Sequence, residues 1–163
     1  MQYPLFAFSQ TTEYTLKAVY IEKFTNFITW PNSSNNSDFF TLGIIGKTKL
    51  EEEIIQIYSN REINNKTVLI KTLKDYEEIK NCNILVIGEI GDYELSKILS
   101  ISSELPILTI SENKGYCEKG VLINFYTEKN KLRFEINETA VLKSPIQISF
   151  YLFNSAKIIN PIK

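Results

Sequence analysis

The stretch that decides the fold is "CNILVIGEIGDYELSKILSISSELPILTIS", residues 82–111. It opens with an apolar run over 82–88, continues with a helical pattern over 92–102 that Asp92 can cap, and closes with a second apolar run over 105–111. Strands that are apolar on both faces are typical of a parallel sheet covered on both sides. The stretch therefore predicts a strand, a helix and a second strand parallel to the first.

The same alternation occurs upstream. The run "FFTLGIIG" (39–46) predicts a buried strand, and "KTVLIKTL" (66–73) predicts another. Between them, 48–60 is an amphipathic pattern whose start, Thr48 followed by Glu51, predicts a capping box. Strands that alternate with helices in this way favour a parallel sheet with helices on both faces.

A helix is also predicted before the first strand, over residues 11–30. Its apolar stripe comprises Leu16, Val19, Tyr20, Phe24, Phe27 and Ile28. Lys17, Glu22, Lys23 and Asn26 fall on other faces of this helix. Pro31 ends the helix because it pushes Trp30 out of the helical region.

The pattern changes after residue 120. The runs "GVLINFYT" (120–127) and "KLRFEIN" (131–137) are joined by a connection so short that the two strands must form an antiparallel hairpin. Asn137 is predicted to cap a following helix, and Pro145 to open a last helix over 146–159. The fold class is thus α/β: one domain over residues 10–163, with a mostly parallel sheet flanked by helices on both faces and an antiparallel hairpin at one edge.

Composition excludes several classes of function. The chain has 163 residues, a net charge of −1 and no histidine. Nothing in this balance favours nucleic acid or an anionic membrane. The usual general base and zinc ligand are both missing, and two cysteines cannot build a structural zinc site alone. We therefore predict no catalytic residues, no metal, no cofactor and no membrane span.

The amino terminus allows two interpretations. In "MQYPLFAFS" (1–9), an apolar run precedes Ala7-Phe8-Ser9, and small residues at the third and first positions before a cut are what a signal peptidase reads. Residues 1–9 are accordingly either the end of a secretory signal or an extension that packs on the domain.

The loop after residue 111 has the glycine spacing of a phosphate loop but not its chemistry. Gly115 and Gly120 would need a lysine, a hydroxyl residue and a helix after the second glycine, whereas Val121 and Leu122 begin a strand. We interpret the two glycines as structural turn residues that supply positive φ. Cys117 lacks a histidine partner, so a nucleophilic role is disfavoured.

The two cysteines are predicted to be free thiols. Cys82 enters a parallel strand at its amino end, and Cys117 follows the next strand's carboxyl end. Such points lie roughly 17–20 Å apart, whereas a disulfide needs Cα atoms within about 7 Å.

A few residues are candidates for contact with a ligand or partner. Arg133 and Glu135 share one face of the last strand, where they form either an ion pair that supports the hairpin or a polar contact patch. Trp30 either closes the core at a helix end or anchors an interface. Gly115 and Tyr116 in the loop complete the set.

Four stretches together resemble the YfiR/HmsC-like family of periplasmic proteins. They are "YTLKAVYIEKFTNFITWP" (14–31), "CNILVIG" (82–88), "LPILTISENKGYCEKGVLINFYTEKNKLRFEIN" (105–137) and "IQISFYLFNSAKII" (146–159). They follow the family's order and span 14–159.

The resemblance implies an exported, non-catalytic protein. Its best-known relatives bind the periplasmic part of a membrane diguanylate cyclase and repress it, which lowers cyclic di-GMP and biofilm formation. It also favours the signal-peptide interpretation of residues 1–9. Relatives often carry two disulfides; here Gly43 and Asn124 stand where partners for Cys82 and Cys117 are expected, and Lys119 replaces a family glycine.

The leading hypothesis is a periplasmic regulatory protein that binds the extracytoplasmic part of a membrane signalling protein, a diguanylate cyclase or a histidine kinase. A homodimer is an open alternative. The second hypothesis is a small-molecule binding module at the carboxyl ends of the parallel strands, around Gly46, Gly88 and 111–115.

Overall fold

The structure, a computed structural model, describes residues 6–32, 37–160 and 162, with only the backbone described for 6–11. The helices among these residues are α1 (Phe6–Thr25), α2 (Leu50–Tyr58), a 3-10 helix (Tyr76–Asn81), α3 (Asp92–Ser102), α4 (Tyr116–Lys119), α5 (Glu138–Lys143) and α6 (Phe150–Asn154). The strands are β1 (Ile28–Thr29), β2 (Phe39–Ile45), β3 (Glu62–Ile63), β4 (Lys66–Thr72), β5 (Ile84–Ile87), β6 (Leu108–Ser111), β7 (Ile123–Glu128), β8 (Lys131–Asn137), β9 (Gln147–Ile148) and β10 (Lys157–Ile159).

The main sheet confirms the predicted α/β architecture. Its strand order is β10-β8-β7-β6-β5-β2-β4-β3, and a separate two-stranded sheet pairs β1 with β9. Neighbours in the main sheet are parallel except for the pairs β7–β8 and β3–β4. The chain winds from β2 outward to β4 and then crosses to β5 and β6, so the direction of winding reverses between β2 and β5.

Two apolar layers hold the sheet between its helices. Alternate residues of the strands point to opposite faces. Leu42 and Ile44 of β2 pack in the layer under α1 and α2. Ile45 belongs to the opposite layer, which is covered by Leu95 and Ile98 of α3. Both faces are thus closed by helices, as the apolar runs predict.

The predicted hairpin is β7–β8. Its turn residues Lys129 and Asn130 both have positive φ, 49° and 59°. Two such residues form the turn whose twist matches that of the strands. β10 pairs in parallel with the outer side of β8, so the hairpin lies one strand inside the edge.

The prediction of a single helix over 146–159 is wrong. Residues 147–148 form β9, and the side chain of Ser149 then caps α6 by accepting a hydrogen bond from the Tyr151 amide at 3.3 Å. The helix ends at Asn154, and Lys157–Ile159 becomes β10. The available edge of β8 gives this segment strand partners, which its helical periodicity cannot reveal.

α1 is shorter at its end than predicted. It stops at Thr25, and Ile28–Thr29 pairs with β9. The predicted boundary at residue 9 falls within α1, and residues 1–5 lie outside the described residues. Removal of residues 1–9 as a signal peptide stays a prediction.

The predicted capping box on α2 is wrong, because Glu51 accepts a hydrogen bond from Thr72 at 2.5 Å and Lys49 is the residue before the helix.

Candidate functional site

The carboxyl edge of the sheet, where the second hypothesis places a ligand, is closed by backbone at the point where the winding reverses. The amide of Glu89 donates to the carbonyl of Lys47 at 2.8 Å, and the amide of Lys47 donates to the carbonyl of Glu89 at 3.3 Å. A Cβ on Gly88 would lie 2.5 Å from the carbonyl oxygen of Lys47. Ligands of open α/β sheets usually enter between these two loops, and here the loops bind each other.

The next loop along this edge is also held by internal bonds. The hydroxyl of Ser111 donates to the carbonyl of Ile87 at 2.6 Å. The hydroxyl of Tyr116 donates to the carbonyl of Ile90 at 2.8 Å and accepts from its amide at 3.1 Å. Tyr116 is buried and fixes α4 against the loop after β5, so its polar atom already has two partners.

The two loop glycines flank α4. Gly115 precedes the helix with φ +85°, and Gly120 follows it with φ +126°. Both values lie in the region that favours glycine. As the sequence indicates, a strand follows the second glycine: β7 begins three residues after Gly120. The four residues between the glycines form α4.

Lys17 is buried at this edge, although it lies outside the predicted apolar stripe of α1. Its exposed fraction is 6%, while Leu16 and Phe27 of the predicted apolar stripe are 40% and 38% exposed. The ammonium lies 2.7 Å from a carboxylate oxygen of Glu112 and 2.8 Å from one of Glu13. Glu112 directly follows β6, and its other oxygen accepts from the Thr48 hydroxyl at 3.2 Å.

This arrangement is electrostatically satisfied. Burial by itself lowers the pKa of Lys17, but hydrogen bonds and charge from Glu112 and Glu13 more than offset that effect, so the pKa is raised. The hydrogen bond from Lys17 lowers the pKa of Glu13, against the opposing effect of burial. A buried cation with two carboxylate partners is a structural tie between α1 and the sheet.

Cys82 and Cys117 are both free and buried, and Cys82 lies in the apolar layer that α3 covers. Burial raises the pKa of the Cys82 thiol to about 11. Burial, and then the negative charges of Glu135 and Glu118, raise the pKa of Cys117. Neither thiol has the depressed pKa of a nucleophile.

Gly43 stands where the resemblance to the family places a disulfide partner for Cys82. A Cβ built on this glycine would lie 2.5 Å from the Cys82 sulfur. The Cys82 thiol, which lies just before β5, therefore fills the space that a side chain at position 43 of β2 would need.

Arg133 and Glu135 do not pair with each other in the part of the chain that the structure describes. Glu135 is buried, accepts from the Asn124 side chain at 3.3 Å, and lies 3.8 Å from the ammonium of Lys157. Arg133 is exposed. The two residues share one face of β8, but Lys157 of β10 is the partner of Glu135. Of the two, only Arg133 is exposed and able to contact another molecule.

Trp30 is partly buried and closes one end of the core. Its ring meets Phe40 edge-on, with centroids 5.5 Å apart. This contact agrees with the helix-end interpretation of Trp30. Its indole nitrogen is buried and has no hydrogen-bond partner within the described part of the chain.

Arg133 lies in a groove of about 270 Å³ between α1, β8 and the end of α6. We call it the aromatic–basic groove. Its lining consists of Tyr20, Lys23, Phe24, Phe27, Leu132, Arg133, Phe134, Leu152 and Ser155. Phe24, Phe134 and Leu152 are buried and form the floor. Phe24 and Phe134 contact each other edge-on with centroids 5.0 Å apart, which makes the floor rigid.

Two cations line the groove: Lys23 on α1, and Arg133 on β8, just beyond the residues that pair with β10. Lys23 lies over the ring of Tyr20, 5.2 Å from its centroid. Within the described residues neither Lys23 nor Arg133 has a carboxylate partner. The groove therefore presents an apolar floor beneath uncompensated positive charge, a combination that suits an acidic and apolar segment.

Two exposed aromatic side chains lie beside this groove. Phe150 and Tyr151, in the first turn of α6, are 72% and 74% exposed. The amide of Ser149, just before them, donates to the carbonyl of Phe27 at 2.8 Å, which attaches α6 to the end of α1. Large aromatics fixed on a rigid element and left open to solvent are typical of interface anchors.

Sequence reasoning identified Arg133 but not the residues around it. Lys23 falls outside the predicted apolar stripe of the first helix. Exposed aromatic and apolar residues of the terminal helices are expected to make contact, but the single helix predicted over 146–159 does not show that Phe150 and Tyr151 are the exposed ones. A usable signal is Ser149, because a good cap directly before two aromatics predicts a helix start that places them in its first, exposed turn.

Two kinds of feature were not found among the residues that the structure describes. Within them, no three histidine, cysteine or carboxylate side chains are grouped as metal ligands would be. No described helix combines the length and the apolar content that crossing a membrane requires.

Comparison with known proteins identifies the family. No curated protein sequence matches the chain. Residues 14–157, from the middle of α1 to the first residue of β10, match the YfiR/HmsC-like family, also described as DUF4154. The match covers most of the 163 residues and includes β8 and the part of α1 that lines the aromatic–basic groove. The chain therefore belongs to the YfiR/HmsC-like family, whose members are periplasmic regulators of cyclic di-GMP signalling.

Proposed function

We propose that this protein is an exported regulator that binds the extracytoplasmic part of a membrane diguanylate cyclase and holds the enzyme inactive. It acts by binding rather than by catalysis. The observation that carries the proposal is the family match over residues 14–157. A histidine kinase with a comparable extracytoplasmic domain is the alternative partner.

The aromatic–basic groove is the proposed contact surface. Its floor of Phe24, Phe134 and Leu152 suits one apolar side chain of the partner. Lys23 and Arg133, which also line the groove, suit acidic residues on either side of that side chain, since complementary charge steers association and fixes register. The partner segment is therefore acidic with a central apolar residue.

Phe150 and Tyr151 extend this surface. Aromatic side chains carry a large share of binding energy when a partner covers them. On the free protein they remain exposed to solvent, which is unfavourable for solubility unless a partner uses them. We infer that both are covered in the complex.

Site-specific photocrosslinking in intact cells tests the proposal. A benzophenone amino acid replaces Tyr151 in one variant and Tyr93 in the other. The two tyrosines are comparably exposed, at 74% and 81%. Tyr93 lies in α3 on the opposite face of the sheet, whereas α6 packs on the α1 face. We expect an ultraviolet-dependent adduct with a protein containing a diguanylate cyclase domain at position 151 only.

The pair of positions makes the outcome decisive. Mass spectrometry of the adduct identifies the partner. An adduct with the cyclase at position 93 and none at 151 would place the contact on the wrong face. Loss of adducts at both positions, in cells where the protein is present at normal level, would contradict binding itself.

A further inference from the structure

A second cleft lies on another part of the molecule, between the end of α3, α4 and α5. Its volume is about 330 Å³, which lies within the range of about 300–1,000 Å³ found for small-molecule sites. It shares no lining residue with the aromatic–basic groove. The cleft is therefore independent of the proposed partner surface.

The floor of this cleft holds an unsatisfied hydroxyl. Ser102, at the end of α3, lines the cleft and is 3% exposed. Its Oγ is buried and has no hydrogen-bond partner among the residues that the structure describes. A serine in a helix commonly donates to the carbonyl four residues earlier, and this one does not. A buried polar atom without a partner is unfavourable, which indicates a group that a ligand can satisfy.

The other polar side chains of the floor already have partners. Thr109 Oγ1 accepts from the Leu122 amide at 2.9 Å. The Asn137 side chain donates to the carbonyl of Cys117 at 2.7 Å and accepts from the Ala140 amide at 2.9 Å. Ser102 is therefore the floor hydroxyl that is free to make a new bond, and Leu99 and Ile107 beside it are apolar.

The charged residues at the rim of the cleft determine which ligand charge is favoured. Lys143 is exposed at the end of α5 and has no ion pair within the described residues. The other rim lysine, Lys119, is 2.5 Å from the carboxylate of Asp92 and so is already compensated. Glu118 also lines the rim and repels a second negative charge on a ligand. A single negative charge suits this rim better than a phosphate dianion does.

We propose that this cleft binds a small organic monocarboxylate. The carboxylate meets Lys143, an apolar body lies on Leu99 and Ile107, and a hydroxyl or carbonyl at the far end bonds with Ser102. The site goes beyond the proposed repression, because it gives the protein a ligand of its own on a surface that the partner leaves open.

Three probes of one scaffold test the site: 4-hydroxyphenylacetate, phenylacetate and phenyl phosphate. Each is titrated into the whole protein while amide signals are followed by NMR. We expect saturable shifts confined to residues around Ser102, Gly120 and Ala140, with 4-hydroxyphenylacetate tighter than phenylacetate. Ser102→Ala should weaken 4-hydroxyphenylacetate about fivefold, the worth of one neutral hydrogen bond, and leave phenylacetate nearly unchanged.

Controls keep the test independent of folding and of the proposed function. Ser100→Ala removes a hydroxyl from the same helix that bonds to the Lys97 carbonyl outside the cleft, and it should change neither affinity. Lys143→Gln should weaken both carboxylates alike. Absence of saturable shifts in the cleft would overturn the proposal, as would tighter binding of phenyl phosphate or equal loss of both carboxylates in Ser102→Ala. None of these readouts depends on the partner surface.

Discussion

Lys17 and Arg133 have opposite roles from those that their sequence positions suggest. Lys17 falls outside the predicted apolar stripe of its helix, yet it is buried with Glu112 at 2.7 Å and Glu13 at 2.8 Å. Arg133 alternates with Glu135 as if the two formed a pair, yet Arg133 is exposed and Glu135 interacts with Lys157 and Asn124.

The difference between the two cations is whether the protein itself supplies a partner for the charge. A cation whose partners come from distant parts of its own chain stabilises the native state. A cation that is left uncompensated beside an apolar floor is available to another molecule. Lys17 is the first kind, and Arg133 with Lys23 is the second.

The largest effect expected concerns Glu112. Glu112→Ala leaves the buried ammonium of Lys17 with Glu13 alone and removes the acceptor of Thr48. Removal of one member of a buried ion pair costs about 3 kcal/mol in the free energy of unfolding. Denaturant unfolding, followed by circular dichroism, measures this loss.

The matched variant for this experiment is Arg133→Ala, which removes a cation that has no partner among the described residues. A surface change of this kind alters the free energy of unfolding by less than about 0.5 kcal/mol. If Glu112→Ala costs no more than Arg133→Ala, the distinction between the two cations does not hold.

Glu135 should show an intermediate effect. Glu135→Ala removes the acceptor of Asn124 and the partner of Lys157, and it leaves the Asn124 side chain bonded only to the Asn113 carbonyl. The expected cost is about 1–2 kcal/mol, since the carboxylate is buried but Lys157 is largely exposed. Parallel unfolding curves of Glu135→Ala and Arg133→Ala should therefore differ. Identical curves would restore the view that the two residues act as one surface pair.

The strands and the layered core could be predicted from the sequence because they are determined by residues that are close together in the chain. The apolar runs at 39–46 and 82–88 carry both the strand and its burial, and Asn137 carries its own cap, accepting from the Ala140 amide at 2.9 Å. Such features depend on residues within a few positions of one another.

The features that the sequence did not reveal depend on distant parts of the chain. Lys17 is buried only because Glu112, 95 residues away, arrives beside it when β6 is in place. Residues 157–159 become a strand only because β8 offers an edge. The aromatic–basic groove is likewise assembled from α1, β8 and α6, and no single stretch contains it.

A smaller effect is expected from alkaline pH. The pKa of Lys17 is raised in the folded protein, so its contribution to stability is full below the unfolded pKa of about 10.4. That contribution is lost as pH rises through the higher folded pKa. We expect the free energy of unfolding to fall more steeply above about pH 10 in the native sequence than in Lys17→Met. Equal slopes would show that folding does not raise the pKa of Lys17.

The most direct test of the central claim is the cellular level of cyclic di-GMP in two charge-reversal variants. Arg133→Glu alters the aromatic–basic groove. Lys131→Glu makes the same change of charge two residues away, at the hairpin end of the same strand, where Lys131 is exposed and opposite Glu128. Each variant replaces the native protein at equal abundance. We expect cyclic di-GMP to rise in Arg133→Glu and to stay at the native level in Lys131→Glu. Unchanged levels in both variants, or an equal rise in both, would contradict the groove as the repressing surface.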